Sequence, residues 1–298
     1  METLTNVFKN LLDIGELILG DFIDKGSSGE VYKSTYKNKN VISKCFKIDN
    51  YKNQSSWIND IYGELDIYKK LGNTKGSCKC IGYCFDDKCL YLILKDYETK
   101  MNLYDYLNHD NHWKKYNRIV LDDEYYYKYK RKEWIYKLDR NSKIDLTKKI
   151  IDIIYELHKK NIVHCDLKTN NILYNDKVKE LTLIDFGASY FLSTNKEKDT
   201  YRDMGTMGYA CIILNDEGIC CKKSDIYSLG VCITEIWCGA IWNTGITHGE
   251  CRLEVLSSLR KIKGKEPLLE KEIRKCVSLT IEKRPLIVKL RKNILNIF

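Results

Sequence analysis

The apolar residues of this chain change their spacing near residue 100, and that change restricts the fold more than any other feature. Before it, "ELILGDFIDKG", "EVYKSTY" and "NVISKCFKID" alternate in the manner of strands, the first two parted by the turn-forming "GSSG". One helix interrupts them. "SSWINDIYGELDIYKKLG" puts Trp57, Ile61, Leu65 and Tyr68 on one face, between a serine cap and Gly72. "KCLYLILKDY" returns to strand character. After Met101 the apolar positions recur at three and four residues, in "DLTKKIIDIIYELHKKN" and in "SDIYSLGVCITEIWCG", from a Ser224 cap to Gly239. "PLLEKEIRKCVSL" and "PLIVKLRKNIL" each open on a proline suited to a first helical turn.

Strands followed by helices predict an α+β chain of two lobes. An extension, 1–16, precedes a small antiparallel-β lobe with one main helix, 17–97. A larger, mainly helical lobe, 98–298, follows, joined near Lys95 to Lys100. The segment 108–143 fits neither lobe well: it interleaves basic residues with Trp113, Tyr116, Tyr125, Tyr126, Tyr127, Tyr129, Trp134 and Tyr136. Such a pattern either covers a helical lobe, aromatic faces inward, or stacks single-stranded nucleic acid in a positive groove; the first reading is preferred.

The totals exclude some classes. Apolar runs are short and broken by charge, so no membrane span is expected, and the N-terminal residues lack a cleavage signal. A chain made without export, in the cytoplasm, is the expectation. Thirteen cysteines at irregular spacing read as free structural thiols in a reducing compartment. The group Cys78, Cys80, Cys84 and Cys89 leaves a zinc site as the lesser alternative. The formal charge of +9 fits an anionic ligand without specifying one.

The chemistry concentrates in "IVHCDLKTNNILY", where a carboxylate, an ammonium and carboxamides crowd between apolar flanks. A carboxylate at Asp166, an ammonium two residues on at Lys168 and a carboxamide at Asn171 suit phosphoryl transfer. A base orients a hydroxyl, a cation offsets the moving phosphoryl charge and an oxygen ligand holds a divalent metal. The second metal-binding carboxylate is Asp185 in "LTLIDFGASY", fourteen residues after Asn171. Either piece alone reads as a polar turn between buried strands; together, in this order, they are a strong signal.

With these motifs the chain resembles a eukaryotic-type serine/threonine protein kinase from about Leu17 to Arg284. The resemblance makes Asp166 the base, Lys168 the γ-phosphate contact, and Asn171 and Asp185 the ligands of Mg²⁺, with Mn²⁺ as the alternative ion. Lys168 together with Thr206 in "GTMGY" is the serine/threonine pattern. "IDKGSSGEV" resembles the loop over the ATP phosphates, with Ile23, Asp24, Gly26, Ser27, Ser28 and Gly29 around the nucleotide and Val31 over adenine. Asp24 stands where a first glycine is expected, and its carboxylate should face solvent. Lys44 is the choice for the lysine on the α- and β-phosphates, because Ile42 and Phe46 share its face; Lys47 is the alternative. Glu64 is the implied partner of that lysine. The resemblance also implies Leu94 at the back of the adenine pocket, Lys95 to Tyr97 as the hinge, and Leu173 among the nucleotide-binding residues. Asp225 resembles the aspartate that anchors the catalytic-loop backbone, the alternative being a first-turn acid facing a helix dipole.

Two positions depart from the family pattern. Cys165 replaces the common arginine that pairs with a phosphate on the activation segment, so activity independent of phosphorylation at Ser193, Thr194, Thr200 or Tyr201 is expected. Ile213 replaces the glutamate that usually meets Arg284, so Arg284 must either reach solvent or find another acid, Asp216 or Glu217. The compact form and composition look like the kinases of large cytoplasmic DNA viruses, which implies host cytoplasm and virion as the places of action. Protein substrates with Ser or Thr acceptors follow from the resemblance. The alternative is a pseudokinase, or a nucleic-acid-associated scaffold that binds partners without catalysis.

Overall fold

The computed structural model describes residues 10–26, 29–47, 54–98, 101–108, 138–193, 199–200, 205–211, 219–239, 241 and 248–298. Three strands open the fold: β1 (Leu17–Lys25), β2 (Glu30–Tyr36) and β3 (Lys39–Lys47). β2 and β3 form a hairpin whose two-residue turn, Lys37 and Asn38, has φ of 48° and 59°, the left-handed pair that matches strand twist. Helix α1 (Gln54–Leu71) follows, then β4 (Cys80–Phe85) and β5 (Cys89–Lys95). α1 begins at Gln54, so Ser55 lies inside the helix and is not its cap. Its end falls as expected, at Gly72 with φ 52°.

The five strands form one antiparallel sheet in the order β1-β2-β3-β5-β4. β5 is an unbroken apolar run because both its faces are covered. Leu90, Leu92 and Leu94 join a core with Phe46 and with Ile61, Leu65 and Tyr68 of α1, while Cys89, Tyr91 and Ile93 pack with Val41, Cys45 and Cys84. Cys84 and Cys89 are thus strand residues of that second core. Burial pushes the Cys78 and Cys84 thiols up to about 12.

The N-terminal residues add to this sheet. Leu12 N–H donates to the Tyr83 carbonyl at 2.8 Å and Tyr83 N–H to Asn10 at 3.1 Å, covering the β4 edge. Gly82 allows the approach, since a Cβ there would lie 2.5 Å from the Asn10 carbonyl. Gly82→Ala is therefore expected to displace residues 10–12 at a cost of about 1–3 kcal/mol. Hydrogen exchange would show it as lost protection at Leu12 and Tyr83; unchanged protection would contradict the docking.

Helices dominate the remainder: α2 (Leu103–Asn108), α3 (Arg140–Lys159), α4 (Lys222–Cys238), α5 (His248–Ser258), α6 (Pro267–Cys276) and α7 (Ile287–Ile297). Asp139 caps α3 by accepting from Ser142 N–H at 2.7 Å, so Arg140 to Lys143 belong to this helix; residues 109–137 of the aromatic segment lie outside the described residues. α4 is the central helix, buried from Ser224 to Cys238. Its cap is Cys221, not Ser224, so the helix starts three residues earlier than its sequence signal; it ends at Gly239 with φ 94°. Pro267 occupies the first turn of α6 as expected, whereas Pro285 precedes α7, which starts at Ile287.

Short strand pairs carry the polar segments between α3 and α4. β6 (Ile162–Val163) pairs with β9 (Tyr190–Phe191), β7 (Ile172–Asn175) with β8 (Glu180–Leu183), and β10 (Asp199–Thr200) with β11 (Ile219–Cys220). The sheet lobe is stitched to them by Cys78 N–H to Leu183 O and Leu183 N–H to Gly76 O, both 2.8 Å. The outcome is an antiparallel-sheet N-terminal lobe and a helical C-terminal lobe.

Candidate active site

The two polar motifs meet the sheet lobe where β3, α1 and the end of β8 converge. Lys44 is 6 % exposed and points from β3 to the α1 side, on the face it shares with Ile42 and Phe46. Its Nζ donates to Glu64 Oε1 and Oε2 at 3.0 and 2.9 Å and to Asp185 Oδ1 at 3.1 Å. Lys47 is on the opposite face, where its Nζ donates to Glu30 at 2.9 Å. Of the two lysines, only Lys44 reaches the motif residues.

The electrostatics of this triad differ by member. Burial pushes the Glu64 carboxyl up, and the Lys44 ammonium offsets that only in part. Asp185 is held below the usual carboxylate range, first by the charge of Lys44. Lys44 stays firmly cationic, because the two carboxylates outweigh the desolvation of its ammonium.

The catalytic-type turn forms the second half. Asp166 Oδ1 accepts from Thr206 Oγ1–H at 2.7 Å, and Oδ2 accepts from Lys168 Nζ at 2.8 Å and Asn171 Nδ2 at 3.1 Å. Lys168 Nζ also donates to Thr206 Oγ1 at 2.7 Å. Asn171 gives its amide N–H groups to Asp166, through the side chain and through the Asp166 carbonyl at 2.9 Å. Ile184 N–H donates to the Asn171 carbonyl at 2.9 Å, which sets Asp185 beside Asn171. A carboxylate and a carboxamide oxygen are hard donors of the kind a divalent cation takes when phosphate oxygens complete its shell.

Backbone strain is held in place by buried anchors. Cys165 and Asp185 have φ of 64° and 59°, uncommon for side-chain-bearing residues. Asp225 Oδ2 accepts from His164 N–H at 2.9 Å and Oδ1 from Cys165 N–H at 3.0 Å, while His158 Nε2 lies 2.9 Å from Oδ2. Asp225 is therefore an internal anchor of this turn and not an acid facing the helix dipole. Phe186 is wholly buried between Tyr68, at 5.4 Å between ring centroids, and His164, at 5.2 Å. That contact ties α1 to both motifs. Motif reading did not find it; Tyr68, four residues after Glu64 on one helical face, was the available signal.

The nucleotide-side residues are placed as follows. Gly26 N–H donates to Gly29 O at 2.9 Å, closing the β1–β2 loop; Ser27 and Ser28 lie outside the described residues. Gly29 must lack a side chain, since a Cβ would come within 2.6 Å of the Cys45 carbonyl. Asp24 is exposed and accepts from its neighbour Lys25 N–H at 2.8 Å. Ile23 is exposed, Val31 sits opposite Lys44 in the β2–β3 register, and Leu173 is half-buried in β7. Leu94 ends the buried part of β5. After it, Lys95 N–H is spent on the Lys79 carbonyl at 2.9 Å, and the Tyr97 hydroxyl donates to Ser77 O at 3.3 Å.

Two expectations are narrowed. Of the two alternatives for Arg284, the described residues exclude the first: it does not reach solvent. It is 2 % exposed, donates to the carbonyls of Ser278 at 2.8 Å and Lys223 at 3.1 Å, and lies over the Tyr227 ring. Ile213, Asp216 and Glu217 lie outside the described residues. Among the described residues eleven cysteines are free, but Cys165 is disulfide-bonded, so the reading of free thiols throughout fails there.

The sequence itself is similar to that of known proteins. The family model described as "Protein kinase domain" matches residues 18–290. A probable serine/threonine-protein kinase of Dictyostelium discoideum, fnkB, is 25% identical over 190 residues, covering 63% of this chain and 31% of the relative. A serine/threonine/tyrosine-protein kinase of Arabidopsis thaliana, HT1, is 23% identical over 278 residues, 92% of this chain and 64% of the relative. The chain thus spans less than two thirds of the length of either relative. With the Lys44–Glu64–Asp185 and Asp166–Lys168–Asn171 groups each assembled and the family model matched over nearly the whole chain, the chain belongs to the protein kinase family.

Proposed function

We propose that this chain is a protein-serine/threonine kinase that moves the γ-phosphoryl group of ATP to Ser or Thr hydroxyls of proteins. The observation that carries the reading is the convergence of Asp166, Lys168, Asn171 and Thr206 with Asp185, itself 3.1 Å from Lys44. Asp166 accepts a hydrogen bond from the acceptor hydroxyl and takes its proton. Lys168 offsets charge on the moving phosphoryl group, and Lys44, held by Glu64, contacts the α- and β-phosphates. Asn171 and Asp185 hold Mg²⁺, or Mn²⁺, which when bound neutralises charge on the phosphate oxygens. Ile23, Val31, Leu94 and Leu173 line the adenine site, with the hinge at Lys95 to Tyr97. Radiolabelled ATP with a generic protein acceptor tests the reading: label transferred by wild type and not by Asp166→Asn supports it, and equal label in both refutes it.

Activity without activation-segment phosphorylation is part of the proposal. Position 165 is a buried, uncharged cysteine and offers no cation to a phosphate. Replacing Ser193, Thr194, Thr200 and Tyr201 together by non-phosphorylatable residues should leave the rate within a few-fold. A hundred-fold loss would remove this part. The narrower likeness, in compactness and composition, is to the virion-packaged serine/threonine kinase of African swine fever virus. It supports action in host cytoplasm and in the particle. Mass spectrometry of purified virions that never finds the chain would count against it.

A further inference from the structure

One covalent cross-link starts at the catalytic turn, and no step described above uses it. Cys165 is disulfide-bonded, and eleven of the thirteen cysteines are free among the described residues, which leaves Cys220 as its partner within the chain. Cys165 directly precedes Asp166, is 2 % exposed and holds φ 64°, with its N–H given to Asp225 Oδ1 at 3.0 Å. Cys220 ends β11, where it pairs with Asp199 of β10, and the chain passes from it directly to Cys221, the cap of α4.

The bond therefore ties the β10–β11 ribbon to the catalytic turn. That ribbon has only two residues in each strand, too few backbone bonds to hold by itself. Between its strands the chain carries Thr206, whose Oγ1–H donates to Asp166 Oδ1 at 2.7 Å and whose Oγ1 accepts from Lys168 Nζ at 2.7 Å. The turn itself keeps its two backbone bonds to Asp225 whatever the state of the sulfurs, and the nucleotide side rests on β3 and α1. Losing the cross-link thus falls on the Thr206 segment first. Eleven cysteines remain thiols, so this chain does not use disulfides as general staples.

We propose that the Cys165–Cys220 bond is a reversible redox switch. Oxidised, it holds the Thr206 segment against Asp166 for use of the protein acceptor; reduced, it releases that segment without altering nucleotide binding. The proposal rests on the kinase reading given above. The chemistry is thiol–disulfide exchange with a small thiol. A reductant thiolate attacks one sulfur, the Cys165–Cys220 S–S bond breaks, and the other sulfur leaves as a thiolate and takes a proton. A second reductant thiol resolves the mixed disulfide. Two electrons reach the protein, two cysteine thiols form, and the reductant becomes its own disulfide. Oxidised glutathione runs the same exchange backwards. A disulfide in a chain kept among reduced thiols is usually of this transient, sensing kind.

The experiment equilibrates the full chain with oxidised glutathione or with millimolar dithiothreitol, then alkylates and digests it without further reduction. Mass spectrometry should find a linked Cys165–Cys220 peptide in the first sample and two alkylated thiols in the second. Phosphorylation of dephosphorylated casein is measured alongside, with acceptor and ATP varied separately. Reduction should raise the acceptor KM about tenfold, a usual size of coupling between two sites, while the ATP KM stays within about twofold. Reoxidation should restore the first value. Cys220→Ser should match the reduced wild type and ignore dithiothreitol. Cys221→Ser, which alters the neighbouring thiol 3.3 Å from Ser224 Oγ, should keep the full response. A link to another cysteine, a bond that dithiothreitol leaves intact, or a reduced chain that is unfolded by circular dichroism overturns the proposal. So does an acceptor KM equal in both states, or an equal change in both KM values. A chain that transfers label but never forms the link overturns the proposal alone. A chain that forms the link but transfers no label in either state overturns the kinase reading, and the gating with it.

Discussion

Replacing Asp166 by asparagine should lower the rate of phosphoryl transfer about a thousand-fold, within the range of a lost general base. The substitution is chosen because the site can absorb it. The Asn carbonyl can still accept from Lys168 and Asn171, and its amide N–H can point to Thr206 Oγ, whose proton then turns elsewhere. Lys168 remains bonded to Thr206, and the anchors at Asp225 do not involve the Asp166 side chain. Nucleotide affinity should stay within several-fold and the thermal midpoint within a few degrees. What disappears is the basic oxygen that takes the hydroxyl proton. Single-turnover transfer from labelled ATP checks this; a loss below tenfold in a folded variant would deprive Asp166 of that role.

Replacing Lys44 by methionine should both abolish activity and destabilise the fold, and the two effects can be separated. Lys44 and Glu64 are a buried pair, with side chains 7% and 2% exposed, and removing one partner of such a pair costs about 3–5 kcal/mol. The sign of the pH dependence follows from the directions of the carboxyl shifts. Glu64 is already raised by burial, and without Lys44 it rises further. Asp185, lowered chiefly by Lys44, loses that cause and rises too. A carboxyl raised in the folded state favours folding below its unfolded value and loses that contribution as the pH climbs through the folded value. The variant should therefore lie closest to wild type in acid and fall furthest behind above neutrality. Lys44→Met with Glu64→Leu should recover much of the stability, because no buried charge is left unpaired, and none of the activity. Denaturant melts at several pH values, with the transfer assay alongside, read both. A deficit that shrinks as pH rises, or a double variant no more stable than the single, would contradict the pairing.

The chemistry-bearing turns were legible because their geometry is local. In "HCDLKTNN" the spacing of Asp166, Lys168 and Asn171 alone places three side chains around one turn, and Asn171 Nδ2 does meet Asp166 within five residues. The change of apolar period near residue 100 likewise announced sheet before helices, since period 2 and period 3.6 are properties of the chain's own backbone. Helix ends at Gly72 and Gly239 were readable for the same reason, as both need a positive φ. The start of α4 was not. Ser224 is a good local cap, yet Cys221 holds that place because the segment from Ser224 onward is buried and folds as part of the core.

What the sequence by itself determined, then, is which residue types stand close along the chain and which face of each element is apolar. Only the tertiary structure decided which apolar face looks at which neighbour. Strand alternation puts Lys44 and Lys47 on opposite faces of β3, and nothing local says which face meets Glu64, 20 residues on, or Asp185, 141 residues on. The same holds for Arg284, satisfied by carbonyls from Ser278 and Lys223, and for Glu235, where Thr169 and Tyr209 arrive 66 and 26 residues before it in the chain. A buried polar group takes partners from whichever segments packing brings within hydrogen-bond reach, and that reach is set by the closing of the core, not by distance along the sequence.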